Sequence, residues 1–67
     1  MHEKLMLERK RKRTYAKELS EILGLKYPAS YLKKESGEVG ITIEEGILLA
    51  KYFGTTLDGL FWETETG

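Results

Sequence analysis

The 67-residue sequence predicts an all-α fold, a compact bundle of five short helices. Three observations lead there. Apolar residues cluster at i, i+3 and i+4 spacing, and no stretch of useful length alternates as a half-buried strand would. Gly24, Gly37 and Gly54 each fall just past such a cluster, where a left-handed C-cap is favoured. Finally, two restart signals open new helices: the chain's only proline, Pro28, and the capping box Thr42-Ile43-Glu44-Glu45.

The first helix is expected over residues 3–12, with Leu5 and Met6 or Leu7 facing the core. Five consecutive cations at positions 9–13 repel one another, so they mark a helix end, where they suit the negative pole of the macrodipole. The same run is a candidate for touching phosphate. Thr14 is the natural N-cap of the second helix, although Lys17 holds the N3 place where a capping box wants Glu or Gln. Leu19, Ile22 and Leu23 form that helix's apolar stripe, and Gly24 ends it.

A third helix runs from Pro28 to Ser36 and stops at Gly37, although Ser30 offers a better cap than Tyr27 and is an alternative start. The linker of residues 25–28 is short enough to force the second and third helices into contact at a steep angle, which is the signature of a helix-turn-helix. Helices this short do not hold themselves together, so a surrounding core must position them. Residues 38–41 read as a loop. From Thr42 a fourth helix carries Ile43, Ile47, Ala50 and Phe53 at helical spacing and ends at Gly54. A last short helix follows Thr55-Thr56, with Asp58 in its first turn and Leu57, Leu60 and Phe61 as anchors. The expected organisation is one domain over residues 1–62 and an acidic tail over residues 63–67.

Charge is the second strong signal. The formal net charge is zero, yet residues 1–34 carry ten Lys/Arg against four Glu, a balance of +6, and residues 35–67 carry one Lys against seven Asp/Glu, a balance of −6. A bipolar molecule of this kind can present a basic face to nucleic acid while staying neutral overall. With no cysteine there are neither disulfides nor thiolate metal sites, and the single histidine, His2, is peripheral. An enzyme is therefore not expected, nor is a cofactor or metal: no carboxylate pair stands beside a usable base or metal cluster. No run approaches the ~18 apolar residues of a membrane span, and residues 1–7 are too short and too acidic for a secretory signal, so a cytoplasmic location and no membrane partner are expected.

With its helices placed, the chain resembles the phage-repressor and Cro-like helix-turn-helix family, also called the XRE family. The resemblance covers about residues 5–61. It is carried by Glu18-Leu19-Ser20-Glu21-Ile22-Leu23-Gly24 in the second helix, and by Ser30-Tyr31 and Lys34-Glu35-Ser36-Gly37 in the third. Thr42-Ile43-Glu44-Glu45 opens the fourth helix in the family's manner, and the last thirteen matching residues, ending at Leu60-Phe61, look like the family's closing pattern. The chain departs from that pattern where the family commonly has Gly and then Thr-Gln leading the second helix; here Arg13, Tyr15 and Ala16 stand, and alanine cannot replace the glutamine's hydrogen bonds. Gly59 also replaces the family's usual Glu.

The resemblance implies a lambda-repressor-like five-helix bundle whose third helix enters the major groove of double-stranded DNA. Carried over by position, Ala29, Ser30 and Lys33 are the candidates for base edges: Ala29 for a thymine methyl, Ser30 for several bases, Lys33 for guanine O6 or N7. Tyr31 is expected to pack between helices. Lys17, Lys26, Lys34 and Ser36 are candidates for phosphates, Lys17 with help from the second helix's N-terminal dipole. The implied function is a sequence-specific transcriptional regulator, and since one short recognition helix binds weakly, a homodimer on a palindrome is expected. Phe61 and Trp62, beside the acidic tail, read either as the seam of that dimer or as caps on the core. The rival expectation is a protein-interaction module, of antitoxin or anti-repressor type, that keeps the fold without specific DNA reading.

Overall fold

The computed structural model describes residues 2–61, and these form five α-helices and no strand: α1 (Glu3–Arg11), α2 (Ala16–Ile22), α3 (Pro28–Ser36), α4 (Ile43–Phe53) and α5 (Leu57–Phe61). Trp62 and the acidic tail of residues 63–67 lie outside the described residues. Among those described, no helix is long and apolar enough to cross a membrane.

Every helix supplies at least one side chain to a single core. Leu5 comes from α1, Leu19 from α2, Tyr31 from α3, Leu49, Ala50 and Phe53 from α4, and Leu60 from α5. Ala16, Ile22, Leu23, Leu25, Ile41 and Phe61 close around them, half-buried. Phe61 meets the edge of the His2 ring at 5.6 Å between centroids, which brings the start of α1 against α5.

The apolar stripe of α4 is rotated from the one the sequence predicts. Its core side is Gly46, Leu49, Ala50 and Phe53, whereas Ile43 is 76% exposed and Ile47 is also on the surface. Gly46 is what lets α4 turn this way. A Cβ there would sit 3.0 Å from Leu57 Cδ2 and 3.3 Å from Phe61 Cε2, so the close approach of α5 uses the missing side chain. In α1 only Leu5 is fully buried, and Leu7 points to solvent. In α5 Leu60 is the buried anchor, and Leu57, 38% exposed, packs toward Gly46.

Helix ends follow local chemistry. At the end of α4, Gly54 is left-handed (φ +68), with its N–H on the Lys51 carbonyl and that of Thr55 on the Ala50 carbonyl, a Schellman closure. The capping box at the start of α4 is complete: Thr42 Oγ1 accepts from the Glu45 N–H at 3.1 Å, and Glu45 Oε1 accepts from the Thr42 N–H at 3.0 Å. The α1–α2 junction corrects the expected cap. Arg13 is left-handed (φ +52) and Thr14 donates its N–H to the Arg9 carbonyl at 2.9 Å, so Thr14 belongs to the closure of α1 and is buried there. The N-cap of α2 is Tyr15, whose side chain makes no capping bond. A non-glycine residue pays a steric cost in this conformation, partly offset by glycine's greater freedom when unfolded. Arg13→Gly is expected to stabilise the fold by about 0.5–1 kcal/mol, read as a higher denaturant midpoint; a lower midpoint would show that the arginine side chain contributes more than its backbone costs.

Candidate nucleic-acid interface

Helices α2 and α3 form the most extensively packed helix pair. The turn between them is built locally. Gly24 (φ +74) donates to the Glu21 carbonyl at 3.1 Å, and Leu25 donates to the Ser20 carbonyl at 2.7 Å, so the chain reverses immediately after Leu23. Leu25 tucks against the core, Tyr27 is extended at the N-cap, and Pro28 starts α3 at the position where a missing N–H costs nothing. Pro28 is thus the start, and Ser30 lies inside the first turn rather than capping it.

Helix α3 has two contrasting sides. Its inner side holds Tyr31 and Glu35, both buried, and is fastened to α1. Arg9 Nε and Nη2 donate to the two Glu35 carboxylate oxygens at 2.8 and 2.9 Å, and the Tyr31 hydroxyl donates to Glu35 Oε2 at 2.7 Å. Burial by itself would raise the Glu35 pKa, but the bonds from Arg9 and Tyr31 outweigh it and hold the carboxyl below its ordinary value. Burial first, then the hydrogen bond to Glu35, pushes the Tyr31 hydroxyl up, so it remains a protonated donor. The His2 N–H closes the cluster on the Glu35 carbonyl oxygen at 2.9 Å.

The outer side of α3 carries Ala29, Leu32, Lys33 and Ser36, all exposed and spaced as i, i+3, i+4 and i+7. Three of the seven sequence-predicted site residues, Ala29, Lys33 and Ser36, therefore share one face. Leu32 completes that face and was not among them, although its place three after Ala29 and four before Ser36 is a legible signal. Lys33 Nζ lies 4.0 Å from Glu38 Oε2, a loose surface pair, while Ser36 Oγ donates to the Lys33 carbonyl at 3.0 Å and so also serves the turn at Gly37.

The remaining predicted residues lie elsewhere on α2, the turn and α3. Lys17 is exposed in the first turn of α2, Lys26 is exposed in the turn with its ammonium 5.8 Å from the centre of the Tyr27 ring, and Ser30 is half-buried. Lys34 is drawn inward: its ammonium donates to the Gly40 carbonyl at 3.0 Å and to Glu45 Oε1 at 3.1 Å, with the side chain 12% exposed. It ties the end of α3 to the capping box of α4, and is the least available cation of the set.

The basic run divides in the same way. Arg9 is committed to Glu35, Arg11 pairs with Glu8, and Lys12 donates to the Phe53 carbonyl at 3.1 Å. Lys10 and Arg13 make no ion pair among the described residues and stay exposed, as does Lys17. Tyr15 and Tyr27, at the N-caps of α2 and α3, add exposed aromatic surface.

An open apolar groove of about 330 Å³ runs between the start of α4 and α5, lined by Gly46, Ile41, Ile43, Leu57 and Phe61 together with His2. Among the described residues no group of three potential ligands could hold a metal ion. Comparison with family models, with curated proteins and with solved structures gives no match for this chain.

Proposed function

We propose that α2 and α3 form a helix-turn-helix and that the protein is a sequence-specific DNA-binding transcriptional regulator whose third helix reads the major groove. The observation that carries this reading is the two-sided character of α3. Its inner side is clamped by Arg9, Glu35 and Tyr31, while its outer side offers Ala29, Leu32, Lys33 and Ser36 to solvent. Lys17 in the first turn of α2 and Lys26 in the turn before α3 are exposed and supply charge for phosphates. In this reading Ala29, Ser30 and Lys33 address base edges, and Lys17, Lys26 and Ser36 set the register on the backbone. A single nine-residue recognition helix gives weak binding, so two copies on a palindromic site are proposed.

A second reading, a protein-interaction module, is favoured by one observation: the groove at Ile43, Leu57 and Phe61 leaves large apolar side chains uncovered. Selection of bound sequences from a random DNA pool at two salt concentrations separates the two. An enriched palindrome that survives higher salt supports the regulator; binding only at low salt, with no enriched sequence, supports the interaction module.

On an enriched site, Lys33→Ala is expected to cost about 1–3 kcal/mol and to relax preference at one position, whereas Lys26→Ala weakens all sequences alike. Equal, sequence-blind losses from both would make Lys33 a phosphate contact.

A further inference from the structure

Resting on the DNA-reading proposal above, we infer that Leu32 is a specificity-determining residue that recognises the 5-methyl group of a thymine in each half-site. Leu32 lies at the middle of the outer face of α3, 43% exposed, and is not among the side chains packed on the core. Ala29 precedes it by one turn on the same face, so the two form a small apolar strip, with the exposed Lys33 beside it. The chemistry of that strip selects among bases. Adenine and guanine present hydrogen-bonding groups in the major groove and cytosine adds only a small C5–H beside its amino group, so a leucine pressed on these strips away water and returns no bond. Thymine alone adds a methyl, which leucine covers without stranding a polar atom.

Charge argues that the occupant of this face is DNA rather than an apolar protein partner. Lys33 stands next to Leu32 on α3 and Lys26 is exposed in the turn before it, and a purely apolar partner would have to bury both cations with no counter-charge beyond the loose Lys33–Glu38 pair. Duplex DNA pairs them with phosphates while offering a methyl at the centre.

The test uses the full chain and the DNA sequence it selects. Each thymine of that duplex is replaced in turn by deoxyuridine, which keeps base pairing and the O4 acceptor and removes only the methyl. Wild-type protein is expected to lose about four-fold in affinity at one thymine per half-site, the burial of a single methyl. Leu32→Ala is expected to bind thymine and uracil alike at that position, and Leu32→Gln to move the preference there from thymine toward adenine. Leu32 is 43% exposed and outside the buried core, and circular dichroism checks that both variants keep the fold. Sequence selection without any methyl-dependent position, or a uracil effect that persists unchanged in Leu32→Ala, overturns the assignment while leaving the regulator reading intact. No selected sequence at all overturns both.

Discussion

Replacing Glu35 with alanine is expected to destabilise the protein by about 3–5 kcal/mol, the cost of leaving one member of a buried ion pair alone. The carboxylate is held by two bonds from Arg9 and one from the Tyr31 hydroxyl, and only 6% of its side chain is exposed. Without it, a guanidinium that is 17% exposed loses its counter-charge and a buried phenol loses its acceptor. A domain of this size has about 3–10 kcal/mol in total, so the loss is a large fraction of its stability. Urea titration followed by circular dichroism reads the loss; an unchanged midpoint would mean that α1 and α3 are held by apolar packing alone.

The same cluster sets the response to pH. Because the folded Glu35 pKa is lowered, its stabilisation is fully present above the ordinary carboxyl value of 4.5 and drains away as pH falls through the lower folded value. Tyr31 acts at the other end. Its raised pKa means that the unfolded chain gives up the phenolic proton first, so stability declines as pH rises above the ordinary value of 10.0.

The second large effect contrasts two residues of α4. Leu49→Ala is expected to cost about 2–5 kcal/mol, because Leu49 is fully buried where α4 meets the other helices. Ile43→Ala, on a residue the sequence marks as equally apolar, is expected to change stability by no more than about 0.5 kcal/mol, since Ile43 is 76% exposed. Denaturation midpoints of the two variants decide the matter. A large loss from Ile43→Ala with little from Leu49→Ala would place the other face of α4 inward.

That contrast also shows what a sequence can convey. Helix boundaries were legible because they depend on neighbours along the chain: Gly24, Gly37 and Gly54 stop helices, Pro28 starts one, and Thr42 with Glu45 starts another. The face each helix buries was less legible. In α4 the inward residue that orients the helix is Gly46, which carries no apolar side chain to count, whereas the exposed Ile43 and Ile47 do. Thr14 was misread for a related reason. Its composition suits a cap, but the left-handed Arg13 before it had already committed its N–H to α1.

The candidate site divides likewise. Ala29, Lys33 and Ser36 share a face as helical spacing implies, and Leu32 belongs to the same face although a leucine suits a core equally well. No pattern along the chain distinguishes Arg9 from Lys10, or Lys34 from Lys33. The difference lies in Glu35 and Glu45, carboxylates 26 and 11 residues away.

Clamping α3 from behind has a consequence for how such a domain diversifies. The residues that hold the helix in place, Tyr31, Lys34 and Glu35, are none of those that face outward, Ala29, Leu32, Lys33 and Ser36. Mutation can therefore rewrite Ala29, Leu32 and Lys33 at little thermodynamic penalty, since surface positions away from structural bonds seldom shift stability by more than about 0.5 kcal/mol. New recognition preferences can accumulate in this scaffold without first acquiring compensating changes in its interior.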